Sequence, residues 1–296
     1  MKKLLWPLLY GLLLTSFTVY VALDTFIITR IYEAADKPAL TQLTGLLPTA
    51  APPEITANSY SDENIRITLS EYREHDTTIY VADVVLSSPE LLRTALARGS
   101  YGRNVSATTS EMAAQNGAIL AINGDYYGSR ERGYVVRNGV LYRSSVSSGA
   151  EALAIMSDGS FRIVQEGAVS AEELAEDGAR HVFSFGPALL ENGEISVTTA
   201  DEVGKAMADN PRTAIGVYEP GHYVLLVSDG RTQASEGLSL YELAEFMQGL
   251  GLTSAYNLDG GGSSTMVFMG DVINNPTTNG RRITERSVSD IVYIGY

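Results

Sequence analysis

The chain has 296 residues, 45% of them hydrophobic and 19% charged, which is ample for a packed core and unlike a disordered segment. Lysine and arginine number 21 against 35 aspartates and glutamates, and the formal charge of −14 speaks against nucleic acid or an anionic membrane surface as a general partner, so an anionic substrate would need a local cationic pocket. With no cysteine, disulfides, thiolate metal sites and cysteine nucleophiles are excluded, and three histidines are too few for a histidine cage around a metal.

Lys2 and Lys3 precede an uncharged run from Leu4 to Leu23, about the ~20 residues that cross a bilayer as a helix. The apolar character resumes after Asp24 at Phe26, Ile27 and Ile28, beyond the core of a cleaved signal, so residues 1–30 are expected to form an uncleaved membrane anchor. Two lysines ahead of the run and no comparable basic cluster behind it place the N-terminus in the cytoplasm and the rest outside. Residues 31–54, rich in proline, threonine and alanine, read as a stalk, and residues 55–296 as the globular domain.

Within that domain, β-branched and aliphatic runs predict strands from Ile65 to Leu69, Thr78 to Leu86, Ala118 to Ile122 and Ala152 to Met156. Ser88 and Pro89 are expected to open a helix reaching about Arg98 and stopping at Gly99, and Ser170 with Glu173 forms a capping box for another. Thr213 to Tyr218 and His222 to Ser228 read as a hairpin around Glu219-Pro220-Gly221. A third capping box, Ser239 with Glu242, starts a helix with Leu243, Met247 and Leu250 on one face, and Gly251 stops it. A strand from Ala255 to Leu258 then leads into Asp259 and Gly260-Gly261-Gly262-Ser263-Ser264, with another strand from Thr265 to Met269. The expected class is α+β or mixed α/β, a single domain with a mixed β-sheet flanked by helices behind one transmembrane helix.

Strand, helix, strand in sequence implies a parallel crossover, which brings Asp229 and Asp259, each just past a strand end, to one edge of the sheet. Arg212 starts the hairpin at that edge, where open α/β sheets hold ligands. Asn123-Gly124-Asp125-Tyr126-Tyr127 adds a carboxylate beside aromatic rings suited to a sugar face. The triple glycine exposes backbone N–H groups to a ligand or is simply a flexible turn; no lysine follows it, so it is not a phosphate-binding loop for nucleotides. Arg212 and Arg231 are natural phosphate ligands, or else ion-pair partners of Asp229 and Asp259. Oxygen ligands from the aspartates suit calcium or magnesium, though no EF-hand spacing supports either.

At these residues the chain resembles the phosphodiester glycosidase family, which includes bacterial members of the exopolysaccharide-biosynthesis type. The matching blocks are residues 123–127, Phe185-Gly186-Pro187-Ala188-Leu189 with Asn192-Gly193, Pro211-Arg212-Thr213-Ala214-Ile215-Gly216, Asp229-Gly230-Arg231, and residues 257–264. The resemblance implies a hydrolase that cuts a sugar's anomeric C–O bond to phosphate in a surface glycan. It makes Asp125, Asp229 and Asp259 the candidate catalytic residues. Asn123, Gly124, Tyr126, Arg212, Arg231, Asn257, Gly260, Gly261, Ser263 and Ser264 become candidate substrate contacts. The rival readings are a non-catalytic glycan-binding module and a metal-dependent phosphodiesterase cutting P–O.

Overall fold

The computed structural model describes residues 2–34, 52–200 and 209–296, so most of the expected stalk lies outside the described residues. Helix α1, Lys2–Phe26, contains a stretch, Leu8–Phe26, with mean hydropathy 1.5 and none of it buried, long and apolar enough to cross a membrane. The remaining helices are short and each starts in a capping box: α2, Thr109–Gln115, behind Thr108; α3, Ala171–Glu176, behind Ser170; and α4, Leu240–Gly249, behind Ser239. In each box the cap hydroxyl accepts from the N3 amide while the N3 glutamate accepts from the cap amide, satisfying two otherwise orphaned donors.

The α+β expectation describes this chain, with the difference that its strand ladders are antiparallel and divide among several sheets. The largest sheet has nine strands, in the order Glu194–Ile195, Ala188–Glu191, Ser254–Asn257, Thr213–Glu219, His222–Ser228, Thr77–Leu86, Ile65–Glu74, Ser59–Ser61 and Glu54–Ile55. A five-stranded sheet carries Leu120–Asn123 between Met266–Phe268 and Asp290–Ile294, and a second carries Val135–Arg137 beside Ala179–Phe183. One apolar core joins all three, with Ile67, Val84 and Leu225 meeting Leu120, Ile122 and Val292, and also Leu153 and Phe183. Alternation assigns the faces: Tyr223, Leu225 and Val227 enter that core, whereas Val224 and Leu226 pack against Leu243 and Met247 of α4 on the other face.

The predicted helix from Ser88 to Arg98 is not formed. Ser88 caps only the single 3-10 turn Pro89–Leu91, and Leu92–Leu96 is a strand paired with Asp290–Ile294. Pairing along a buried neighbour outweighs the weak helical preference of such a short segment.

His222–Ser228 and Ser254–Asn257 both pair antiparallel with Thr213–Glu219, which lies between them, so they run parallel to each other. Their C-terminal ends therefore share an edge, and the chain enters Thr213–Glu219 at that edge.

Where the two five-stranded sheets meet, the fully buried Arg137 lies between two buried carboxylates, 2.7 Å from Asp290 and 2.9 Å from Asp125. Its guanidinium also donates to the Val136 and Val182 carbonyls and lies 4.1 Å over the Phe183 ring. One cation facing two carboxylates leaves excess negative charge. Burial pushes the Asp290 carboxyl up to about 7, Asp125 and Asp259 push the same way, and Arg137 opposes them. Between the ordinary carboxylate range and about 7 the folded chain then holds a proton that the unfolded chain has lost, so this site's contribution to stability falls as pH rises. Asp290→Asn removes the ionisation, and its stability relative to the parent chain should increase from pH 4 to pH 7 in a denaturant series; a difference independent of pH would refute the assignment.

Candidate active site

The shared sheet edge opens into a cleft of about 430 Å³. Among the described residues its charged lining is four arginines, Arg130, Arg212, Arg231 and Arg286, and one carboxylate, Asp259. Tyr126 and Phe185 supply ring surface, and Arg130 lies 5.0 Å over Phe185 and 5.9 Å over Tyr126. Among the described residues, the lining at this edge is thus net positive in a chain of charge −14.

Asp259 sits one residue beyond the Ser254–Asn257 strand plus Leu258, and its carboxylate is buried. One oxygen accepts from the Ser263 hydroxyl at 2.5 Å and from the Arg286 guanidinium at 3.2 Å, and Arg286 also donates to Ser263. Burial raises the proton affinity of Asp259 above the usual carboxylate range; Arg286 and Ser263 act against it, and Asp125 adds to it. Asp125 and Asp259 line an adjoining groove of about 160 Å³ with Ser263 and Arg286.

Several sequence candidates prove to be builders of the site. The buried Asn123 is a staple: its amide donates to the Asp259 carbonyl at 2.6 Å, and its carbonyl accepts from the Thr213 hydroxyl at 2.8 Å and the Thr265 amide at 3.2 Å. Gly124 leaves room for Asp290, whose Oδ1 lies 2.4 Å from where a Cβ would stand. Asp125 accepts from the Tyr127 amide at 3.0 Å and the Ser184 amide at 3.3 Å besides pairing with Arg137.

The glycine run is explained by close packing. Added Cβ atoms at Gly260, Gly261 and Gly262 would meet the Pro211 carbonyl at 2.8 Å, the Arg231 guanidinium at 2.9 Å and the Thr278 hydroxyl at 2.4 Å. Gly260 and Gly261 still form part of the cleft wall. Ser264 is fully buried and accepts from Thr213. Asn257 lines the cleft, donating to the Gly186 carbonyl at 2.8 Å, while its own buried carbonyl oxygen meets no donor among the described residues.

Asp229 corrects the edge argument. It reaches the expected edge, but its carboxylate is turned to the neighbouring loop, accepting from the Asn275 amide and side chain at 2.8 Å each and from Asn274 at 3.3 Å. It is not among the residues lining the cleft. Arg231 pairs with neither aspartate: it donates to the Asn210 side chain and the Thr278 carbonyl, with a positive φ of 61°. The partner of Asp259 is Arg286. Arg130, Arg137, Arg286 and Asp290 escaped the sequence reading, for each lies outside the motif blocks and only tertiary pairing brings it in.

The calcium or magnesium ion considered from the sequence meets no matching donor set. Asp125 and Asp259 are each committed to an arginine, and no group of three or more acidic or histidine side chains converges among the described residues.

Comparison with known proteins bears on the fold and the family. The chain is 30% identical over 201 residues to an uncharacterised prophage-derived protein of Bacillus subtilis, covering 66% of this chain and 31% of that one. It is 29% identical to the mouse N-acetylglucosamine-1-phosphodiester alpha-N-acetylglucosaminidase and 32% identical to the bovine enzyme of that name, covering 60% and 64% of this chain. It spans only 37% and 40% of those two relatives' lengths. The fold matches the catalytic domain of the zebrafish enzyme with a TM-score of 0.62 at 20% identity, over 83% of this chain and 89% of that one. A hypothetical protein from Synechocystis matches with a TM-score of 0.61 at 16% identity, over 83% and 64%. The family model for phosphodiester glycosidases matches residues 116–295, and the chain belongs to that family.

Proposed function

We propose that residues 55–296 hydrolyse a sugar-1-phosphodiester, breaking the anomeric C–O bond, in a glycan or glycopolymer outside the membrane to which α1 anchors the chain. The observation that carries this reading is the cleft itself, which among the described residues is lined by four arginines and a single buried carboxylate. An anionic phosphodiester drawn to those guanidinium groups sets its anomeric carbon against Asp259, with Tyr126 and Phe185 offering flat faces to the sugar. Family membership and the relatives named for this reaction support the same class of chemistry.

The bond that breaks leaves its electron pair on the bridging oxygen, which departs with the phosphate. A phosphate monoester has a second pKa of about 6, so it leaves without a strong acid to protonate it. Water supplies the oxygen that ends on the anomeric carbon. Asp259, as carboxylate, faces the oxocarbenium-like centre and either activates that water or forms the glycosyl intermediate that water then opens. The arginines hold the phosphate through the change, and no step is routed through a metal.

Asp259→Asn should lower kcat by about 10²- to 10⁴-fold while substrate binding holds or tightens. Arg231→Ala should instead weaken binding and lower kcat/KM by about 10²-fold. Since Arg286 depresses the proton affinity of Asp259, Arg286→Gln should move the acid limb of kcat/KM to higher pH. Normal turnover by Asp259→Asn together with normal binding by Arg231→Ala would overturn the site. In labelled water the phosphate monoester product should emerge unlabelled; label in the phosphate would mean P–O cleavage. On intact cells, added protease should digest residues 55–296 and spare α1, and full protection until lysis would reverse the orientation.

A further inference from the structure

The end of α1 is built into the rim of the active site. Phe26, its last residue, lines the same groove as Asp125, Tyr126, Asp259 and Arg286. The attachment is specific. Asn104, held at a φ of 56°, donates from its side chain to the Ile28 carbonyl at 3.0 Å and the Thr25 carbonyl at 3.3 Å. Asp24 pairs with Arg30 and lies 4.0 Å from Arg103. Arg30–Ile31 then pairs as a strand with Gly102–Arg103, and the Tyr32 amide donates to the Tyr101 carbonyl at 2.9 Å. Three residues lie between Phe26 and the strand-paired Arg30, at most about 14 Å of chain even fully extended.

A second groove, of about 380 Å³, continues from the catalytic cleft across Arg130, which lines both. Its walls include Tyr32, Tyr101, Tyr142 and Arg143. The Tyr101 ring lies 6.1 Å from that of Tyr32 and 4.9 Å from that of Tyr142. Aromatic and arginine side chains grouped where a spanning helix emerges are those that settle at headgroup depth.

A helix of 25 residues is about 37 Å long at 1.5 Å per residue, enough to cross a hydrocarbon layer of about 30 Å and leave its last turn at the outer interface. With α1 spanning the bilayer, Asp259 then stands at the membrane surface, within reach of a phosphate at headgroup depth. A phosphodiester on a polymer projecting far from the membrane would not meet it. From this juxtaposition we infer that the substrate is a membrane glycolipid whose anomeric phosphate is esterified to the lipid, and that the lipid side of the diester runs along the Arg130–Tyr101–Tyr32 groove toward the bilayer. Water adds its oxygen to the anomeric carbon, the C–O bond breaks, and the bridging oxygen stays with a lipid phosphomonoester that remains in the membrane. The inference rests on the hydrolytic reading and on α1 spanning the membrane.

The full chain, reconstituted in phosphatidylcholine vesicles, is given three substrates built on N-acetylglucosamine 1-phosphate. One is the soluble methyl diester, one an octadecyl diester, and one an octadecyl diester with a long ethylene-glycol spacer between phosphate and alkyl chain. The two lipids have the same surface density and differ only in the height of the phosphate. The directly linked lipid should be cleaved at least about tenfold faster than the spaced one. Equal rates, or faster cleavage of the spaced lipid, would overturn the inference. Cleavage of the methyl diester with neither lipid touched would also overturn it while leaving the hydrolytic reading intact, and no cleavage of any of the three would sink both. A flexible Gly-Ser insertion after Ile28, which lifts the domain from the membrane, should lower the rate on the directly linked lipid relative to the methyl diester; an unchanged ratio counts against the inference.

Discussion

Arg137 cannot shed its charge and has no access to water, so the structure around it must answer that charge from within. Asp125 comes from the loop after Leu120–Asn123, Asp290 from the first position of its strand, and Arg137 from the last position of a strand in a different sheet. Taking away Arg137 would leave two buried carboxylates unanswered, at a cost on the order of 3–5 kcal/mol. The three residues therefore lock two sheets in register. The lock also fixes Asp125, whose oxygens are occupied by Arg137 and by the Tyr127 and Ser184 amides. Held in that place, the Asp125 carboxylate is a fixed neighbour whose field raises the proton affinity of Asp259. Asp259, with a raised proton affinity, responds to that field and to Arg286.

Much of the strand and helix order was legible because it rests on short-range chemistry. Three of the four α-helices among the described residues announce themselves by a hydroxyl and a glutamate three residues on, although the box at Thr108 and Glu111 went unread. The hairpin at residues 213–228 is visible as two apolar runs about Pro220-Gly221. The convergence of Arg212, Asp229 and Asp259 on one edge followed from connectivity alone. What did not follow was the direction of each side chain there. Asp229 turns to the Asn274–Asn275 loop because two amide groups and a backbone N–H satisfy its oxygens, and nothing local to residue 229 encodes that loop. Arg137, Arg286 and Asp290 were invisible for a similar reason. Their ion-pair partners are from 12 to 153 positions away, and no spacing rule links them. The segment from Leu92 to Leu96 is the remaining lesson: its neighbour in the sheet is contributed by the last residues of the chain.

The glycine run illustrates how packing can demand a composition that a sequence suggests is there for a ligand. Three consecutive glycines suggest a backbone opened to a ligand. Here each glycine makes room for another part of the site, the Pro211 carbonyl, the Arg231 guanidinium and Thr278. The turn's function is to bring the Arg231 and Arg212 segments against the residues that follow Asp259. Any side chain at residue 261 would displace a guanidinium that lines the cleft.

The electrostatic design of the cleft fits the reaction proposed for it. A phosphodiester carries its negative charge before and after cleavage, so cations that bind it also stabilise the charge that grows on the departing oxygen. Those same cations would quench a carboxylate's reactivity if all of them paired with it. Arg286 alone does so, sharing the Asp259 oxygen with Ser263, while Arg231 is held by the neutral Asn210 and Thr278 oxygens and Arg130 by the Ser184 carbonyl and two rings. Neutral partners fix the position of these two guanidinium groups and leave their charge to be answered by substrate. Two arginines oriented by neutral groups, beside one carboxylate checked by a single arginine, give a site that can attract an anion without quenching that carboxylate.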